Sequence, residues 1–526
     1  MSSRLSLSSV PSKRVLVGVL VVALGAVGCS SSHSQPRSKR PTSASPPVSS
    51  PRTPSNSPSP AAGGSLAAYY RQKLDWKGCG TAQCATLRVP LDYAKPAARK
   101  ISIAVLKVPA QDQAHKVGAL VVNPGGPGGS GVDYAAAGSL AFGPRLPKAF
   151  DLIGFDPRGV GRSTPLRCAS TAQLDQLVGF NPAPSTTAER HQMDALVHAF
   201  GVGCLKRSGD LAKHMSTVEA AKDMDILRAA LGEKKLTYFG ASYGTFLGAT
   251  YANLFPHRVN RMVLDGAIDP ALSNQQLSLA QGHGFEVALR SYVANCVQAG
   301  GCFLGNTVDA GINRIHQFLD STVKKPLPTD TGRQLTSGWA VLGVWLPLYV
   351  KSYWPRLSDG LRQAMHDQNG STLMSLADQY ASRGPKGYTD NSLEALYAVN
   401  CLDHDDYIAS SNVRSHYQEF LKASPTFGTD FAYGLSTCST WPVKTHRSTH
   451  ALHAKGAPPI VVVGTTRDPA TPVAWAKALA HELDSGVLVT RNGDGHTGFN
   501  EGNACVDNAV VDYLTRGVVP KDGLAC

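Results

Sequence analysis

The chain has 526 residues, 42% of them hydrophobic, and a formal net charge of +13. That length exceeds one average domain and is ample for a large buried core. The charge does not point to nucleic acid: nine basic residues precede the first acid, Asp75, so residues 75–526 carry only +4, and no Lys/Arg run is interleaved with aromatics.

Residues 1–29 read as a lipoprotein-type signal peptide. Arg4, Lys13 and Arg14 form a positive n-region, and the apolar run Val15–Val27 is too short to span a bilayer comfortably. The run ends Ala26-Val27-Gly28-Cys29, similar to a bacterial lipobox but with Ala26 where Leu is usual. An acylated Cys29 would anchor the chain at the outer face of the cytoplasmic membrane, since two acyl chains hold where one is marginal. Ordinary cleavage before Cys29, giving a secreted chain, is the alternative. Residues 30–65 are Ser/Pro-rich, with Val48 the lone large apolar side chain, and read as a disordered tether.

Eleven cysteines are present. With Cys29 set aside, ten remain in an exported chain, which implies disulfides. Spacing does not determine the pairs; the simplest arrangement joins neighbours, 79–84, 168–204, 296–302, 401–438 and 505–526. No paired C-x-x-C spacing supports zinc.

Composition turns globular near Leu66. Strands are expected at 85–89, 101–108 and 118–122. The last runs into Asn123-Pro-Gly-Gly-Pro-Gly-Gly-Ser-Gly131. No G-K-[ST] follows, and the prolines remove N–H donors, so this is not a phosphate loop. Its glycines would let backbone N–H groups approach a substrate; Gly126, or neighbouring Gly125, is the expected oxyanion donor. A plain tight turn is the competing interpretation. A strand at 150–155 leads into Asp156-Pro-Arg-Gly-Val-Gly-Arg-Ser163, where the Asp and Arg are expected to pin a loop. Ser216-Thr-Val-Glu219 reads as a capping box opening a helix with Ala220, Met224, Leu227 and Leu231 on one face.

Leu236–Phe239 is a short strand, Gly240-Ala-Ser-Tyr-Gly244 follows, and an amphipathic helix runs on to about Phe255. G-x-S-x-G between a strand and a helix is the setting of a nucleophile elbow, which lifts Ser242 above the sheet and aims the Tyr243 N–H at the same point. A strand at 259–264 ends at Asp265. From 271 to 446 helical spacing replaces βα alternation: Val308, Ile312, Ile315 and Leu319 repeat on one face. Trp339, Trp345, Tyr349, Tyr353 and Trp354 are expected as core between these helices, with a substrate cleft walled by some of them as the alternative. Sheet pattern resumes at 459–463, ending at Asp468; a helix at 473–483, a short strand at 487–490, a loop with His496 and a last helix follow.

Residues 66–270 and 447–526 thus form the two parts of one α/β core, a mostly parallel sheet flanked by helices. Residues 271–446 are an α-helical lid inserted before the acid-bearing strand. A nucleophilic serine needs a base, and the base an orienting acid. Ser242, Asp468 and His496 end successive elements in the order α/β hydrolases use, with Asp265 the runner-up acid. The run Cys401-Leu-Asp-His-Asp-Asp406 resembles a metal site only superficially, because its ligand spacing is irregular. No metal and no cofactor is expected.

On Asn123-Pro-Gly-Gly-Pro-Gly128, Asp156-Pro-Arg-Gly-Val-Gly-Arg-Ser163, Gly240-Ala-Ser-Tyr-Gly244, Val263-Leu-Asp-Gly266, Arg467-Asp-Pro-Ala-Thr-Pro472 and Gly495-His-Thr-Gly498, the chain resembles the secreted tripeptidyl aminopeptidases. These are relatives of the prolyl aminopeptidases within the α/β-hydrolase superfamily. Pro124 stands where prolyl aminopeptidases carry His, which points to the tripeptidyl branch. The resemblance implies an exopeptidase that releases tripeptides or single residues from free peptide N-termini. Burying a peptide ammonium requires a carboxylate partner, and Glu394, Asp403 and Asp405 are the candidates. Peptides are the expected partners, a membrane surface is expected through Cys29, and a monomer is favoured. An envelope esterase or lipase with the same triad is the first alternative; a non-catalytic surface lipoprotein is the second.

Overall fold

The computed structural model describes residues 66–445 and 449–526; the leader, Cys29 and the tether fall outside the described residues. Ten strands form one sheet: β1 (Lys77–Cys79), β2 (Ala82–Pro90), β3 (Lys100–Val108), β4 (Gly118–Asn123), β5 (Phe150–Phe155), β6 (Leu236–Ala241), β7 (Val259–Asp265), β8 (Ile460–Arg467), β9 (Gly486–Asp494) and β10 (Leu524–Ala525). Their order is β1-β2-β3-β5-β4-β6-β7-β8-β9-β10. The β1–β2, β2–β3 and β3–β5 pairs are antiparallel, and every pair from β5–β4 onward is parallel. This is the α/β-hydrolase fold.

The central strands are nearly continuous in apolar residues because both faces are covered. Val121, Ile153, Tyr238, Met262 and Val462 face one side, where the helices α1 (Thr217–Ala230), α2 (Tyr243–Leu254) and the one carrying Ala476 and Leu479 pack. Leu120, Val122, Leu152, Phe239, Val263 and Val461 face the other, against Phe142 and a C-terminal helix with Val506, Val510 and Leu514. Alternate residues facing opposite sides is the period of a strand.

Between β7 and β8 the chain leaves the sheet for a helical block with its own core. It begins with α3 (Asn274–Gln298) and includes α4 (Ser337–Tyr349) and α5 (Ser392–Asp403). Phe285, Trp345 and Phe431 meet at ring-centroid distances of 4.7 to 5.5 Å. Trp339, Trp345, Tyr349 and Trp354 are buried in this core as expected, whereas Tyr353 is half-buried. The helix Thr171–Gly179, which precedes the elbow in the chain, packs on α4, so the cap is held from both sides.

Neighbouring cysteines pair as the simplest arrangement predicts: Cys79–Cys84, Cys168–Cys204, Cys296–Cys302, Cys401–Cys438 and Cys505–Cys526. Two local expectations differ. Ser216 does precede α1, but its hydroxyl donates to the Glu219 carboxylate at 3.2 Å instead of capping the helix. Glu219 is drawn toward His214 (2.8 Å) and Arg158 (3.6 Å), so no reciprocal box forms. Strand β9 also runs four residues past Thr490, extended by pairing with β8.

Candidate active site

The turn between β6 and α2 presents Ser242 with φ +56°, a region that non-glycine side chains seldom enter. The turn closes only because its flanks lack side chains. A Cβ on Gly240 would stand 2.3 Å from the Gly244 carbonyl, and one on Gly244 would stand 2.8 Å from the Asn123 carbonyl. The strained residue is tied down by backbone bonds: Ser242 N–H donates to Asp265 O at 2.8 Å, and Ser242 O accepts from Thr245 N at 2.8 Å.

The glycine-rich loop after β4 packs directly on this elbow. Asn123 Oδ1 accepts the Gly125 N–H at 2.9 Å, and a Cβ on Gly125 would come within 2.8 Å of Ser242 Cβ. Gly126 and Tyr243 then line one cavity between the sheet end and the cap.

Asp468 follows β8 and sits in a dense set of donors. It accepts from Ala470 N and Thr471 N at 2.9 Å, Thr471 Oγ1 at 2.9 Å and Thr497 N at 3.1 Å. Both its oxygens lie 2.9 Å from His496 Nδ1. His496 is fixed further by its N–H bond to Tyr349 O at 2.9 Å and by the Tyr349 ring, perpendicular at 5.4 Å. A carboxylate on Nδ1 assigns the proton to that nitrogen and leaves Nε2 as acceptor. Nε2 and Ser242 Oγ are both buried, and neither has a hydrogen-bond partner among the described residues. The two side chains share one end of the sheet: Asp265 accepts from Ser242 N, and a Cβ on the next residue, Gly266, would stand 3.3 Å from His496 Cε1.

The other strand-end acid, Asp265, has no hydrogen bond to the imidazole. It accepts from Gly498 N at 2.8 Å and Phe499 N at 2.9 Å, holding the loop just past His496, and burial pushes its pKa up to about 6.

Of the three acids expected to meet a substrate ammonium, only Asp403 lines the cavity with Gly126 and Tyr243. It accepts from Thr217 N at 3.0 Å and Thr217 Oγ1 at 2.5 Å, and Thr217 Oγ1 in turn meets Tyr243 OH at 2.5 Å. Glu394 is turned elsewhere, accepting from Cys168 N at 2.5 Å and Ala169 N at 3.2 Å, and Asp405 is exposed. The reason is helical geometry: nine positions apart at about 100° per residue, Glu394 and Asp403 face opposite sides of α5.

The rest of the wall is polar and incompletely satisfied. Asn274, at the start of α3, is 1% exposed, and neither its Oδ1 nor its Nδ2 has a partner among the described residues. His404 Nδ1 is likewise buried without a hydrogen bond, 4.0 Å from Asp406 Oδ1, and burial lowers its pKa. Among the described residues no cluster of His, Cys, Asp and Glu is placed to hold a metal ion. The 403–406 run is divided, with Asp403 on Thr217 and Asp406 on the Asn274 N–H at 2.7 Å.

The loop-pinning pair works through other partners. Arg158 is buried in a bidentate pair with Asp223, both bonds 2.8 Å, while Asp156 accepts from Ser130 Oγ and Arg162 N. Sequence reasoning missed Thr471 and Asn274, and named Tyr349 only among the aromatics of the cap without its contact to His496. Thr471 lies inside a quoted motif, so its position beside the acid was the one available signal.

Residues 424–526 match the family model described as TAP-like protein. The chain is 36% identical over 477 residues to the protein named serine protease Hip1 of Mycobacterium tuberculosis, covering 86% of this chain and 91% of the relative. It is 36% identical over 461 residues to carboxylesterase B of the same species, covering 85% and 86%. It is 31% identical over 482 residues to tripeptidyl aminopeptidase of Streptomyces lividans, covering 87% of each.

Proposed function

Because the chain belongs to the tripeptidyl-aminopeptidase-like family of α/β hydrolases and is a serine hydrolase, we propose that it is an exported serine exopeptidase. It releases tripeptides or single residues from free peptide N-termini. What carries this is the Asp468–His496 pair, a buried Ser242 hydroxyl without a partner among the described residues, and the buried carboxylate of Asp403 in the cavity lined by Gly126 and by Tyr243, the residue after Ser242.

In this mechanism His496 Nε2 takes the Ser242 proton as Oγ attacks the scissile carbonyl. Asp468 keeps the ring in the Nδ1–H tautomer and stabilises the imidazolium. The Tyr243 and Gly126 N–H groups receive the oxyanion, a donor of this kind contributing about 3 kcal/mol. His496 then protonates the leaving amine, and water resolves the acyl-enzyme by the same route. Thr471 Oγ1, bonded to Asp468, steadies the acid. Asp403 receives the peptide ammonium, whose burial without a countercharge would be prohibitive. Export follows from the leader at 1–29, with acylation of Cys29 as the anchor and 30–65 as the tether; mass spectrometry of the mature N-terminus tests it.

Specificity is tested with a tripeptidyl anilide, its N-acetylated form and a short acyl ester. The free anilide should be the best substrate by kcat/KM. A relative named carboxylesterase favours a second reading, an esterase with the same machinery, and a preference for the ester over both anilides would decide for it.

A further inference from the structure

The cap wall contains a group that the mechanism leaves unused. Asn274 lines the cavity of Gly126 and Tyr243, is almost fully buried, and has both amide atoms without partners among the described residues. Buried polar side chains in folded proteins are paired in the large majority, so an amide unpaired at both ends calls for a ligand. Its side chain is not required by the helix it begins. Ser273 supplies the capping box with Gln276, and the Asn274 backbone N–H is bonded to Asp406 Oδ2 at 2.7 Å whatever the side chain. Asp406 thereby sets the residue's position, and His404 Nδ1, also buried and without a hydrogen bond, stands on the same wall.

A primary amide offers one acceptor and one donor side by side in a plane. The complementary partner presents an N–H and a C=O along one edge, as a single peptide residue in extended conformation does, whereas the N–H and C=O of one trans peptide bond point to opposite sides. An acyl chain or a simple ester has no N–H to give. Phe246, Leu277 and Trp475 around the same cavity supply apolar surface for the side chains flanking such a group.

We propose that Asn274 reads one extended residue of the substrate on the acyl side of the scissile bond, Oδ1 accepting that residue's N–H and Nδ2 donating to its C=O. Asn274 thereby makes the site selective for oligopeptidyl over plain acyl substrates. This rests on the exopeptidase reading of the same cavity.

The test compares kcat/KM for a tripeptidyl anilide, which carries peptide groups on the acyl side, with that for a short acyl ester, which carries none. It uses the intact protein and its Asn274→Ala and Asn274→Leu variants. The ratio of peptide to ester kcat/KM is expected to fall at least fivefold in both variants. A smaller change in that ratio, whether both rates hold or both fall together, overturns the proposal, because a purely structural role moves both substrates alike. If the unmodified protein hydrolyses the ester but no tripeptidyl anilide, it is the exopeptidase reading that fails, before any variant is compared.

Discussion

The two sides of the candidate site are built on opposite terms. On the sheet side the acid and the elbow are held: Asp468 by Ala470, Thr471, Thr497 and His496, and the elbow by Asp265, which leaves Ser242 Oγ, His496 Nε2 and Asn123 Nδ2 as buried atoms there without partners among the described residues. On the cap side, Asn274 and His404 have buried polar atoms without hydrogen bonds. Held groups on one side fix geometry in advance, as preorganised catalysis requires. Unsatisfied groups on the other cost about 1–3 kcal/mol each when nothing is bound, a cost that a ligand of matching polarity removes. The division suggests chemistry assigned to the sheet and recognition assigned to the cap.

The sharpest way to break that division is Ser242→Ala, which should lower kcat by about 10⁶-fold and abolish labelling by a fluorophosphonate. Next comes the contrast between the two strand-end acids. Asp468→Asn should cost about 10⁴-fold in kcat with little change in melting temperature. Asp265→Asn should cost about tenfold or less in kcat but about 1–3 kcal/mol in stability, because one of the two oxygens that accept from Gly498 N and Phe499 N would become an NH2 donor. Equal kcat losses would mean that both acids act on the imidazole. On the cap side, Asp403→Asn should reduce the preference for a free over an N-acetylated anilide by about 10- to 100-fold, the range of a hydrogen bond to a charged group. Glu394→Gln should leave that preference as it is.

The smallest effect concerns the end of the helix Val473–Glu482. Burial, reinforced by Asp269 beside it, pushes Glu482 up from its ordinary 4.5 to about 7. Between those values the folded state keeps a proton that the unfolded chain has released, so stability declines as pH rises through this window and levels off above it. Glu482→Gln should flatten the decline, raising the melting temperature relative to the parent at pH 8 by about 1–3 °C. A variant with an unchanged pH profile would remove the pair from consideration.

What could be read from the chain follows the same division. Gly240, Ser242 and Gly244 are legible because the turn itself forbids larger flanking groups. Asp468 and His496 are legible because parallel strands deliver their ends to one edge in chain order. The cap offers no such rule. Asn274 becomes part of the wall only through the way α3 settles over the sheet, which periodicity does not encode. Glu394 and Asp403 look equivalent as nearby acids, yet their separation along one helix already places them on opposite faces. The capping box at Ser216 failed for a tertiary reason, since Arg158 and His214 compete for Glu219.

Ser242 has no exposed surface beneath the cap. Reaching it obliges a polypeptide to thread inward under the helices. An internal stretch of a folded protein would have to unfold locally to reach it. A loose chain end meets no such obstacle, so under the proposed exopeptidase activity peptides already cut elsewhere would be the preferred substrates.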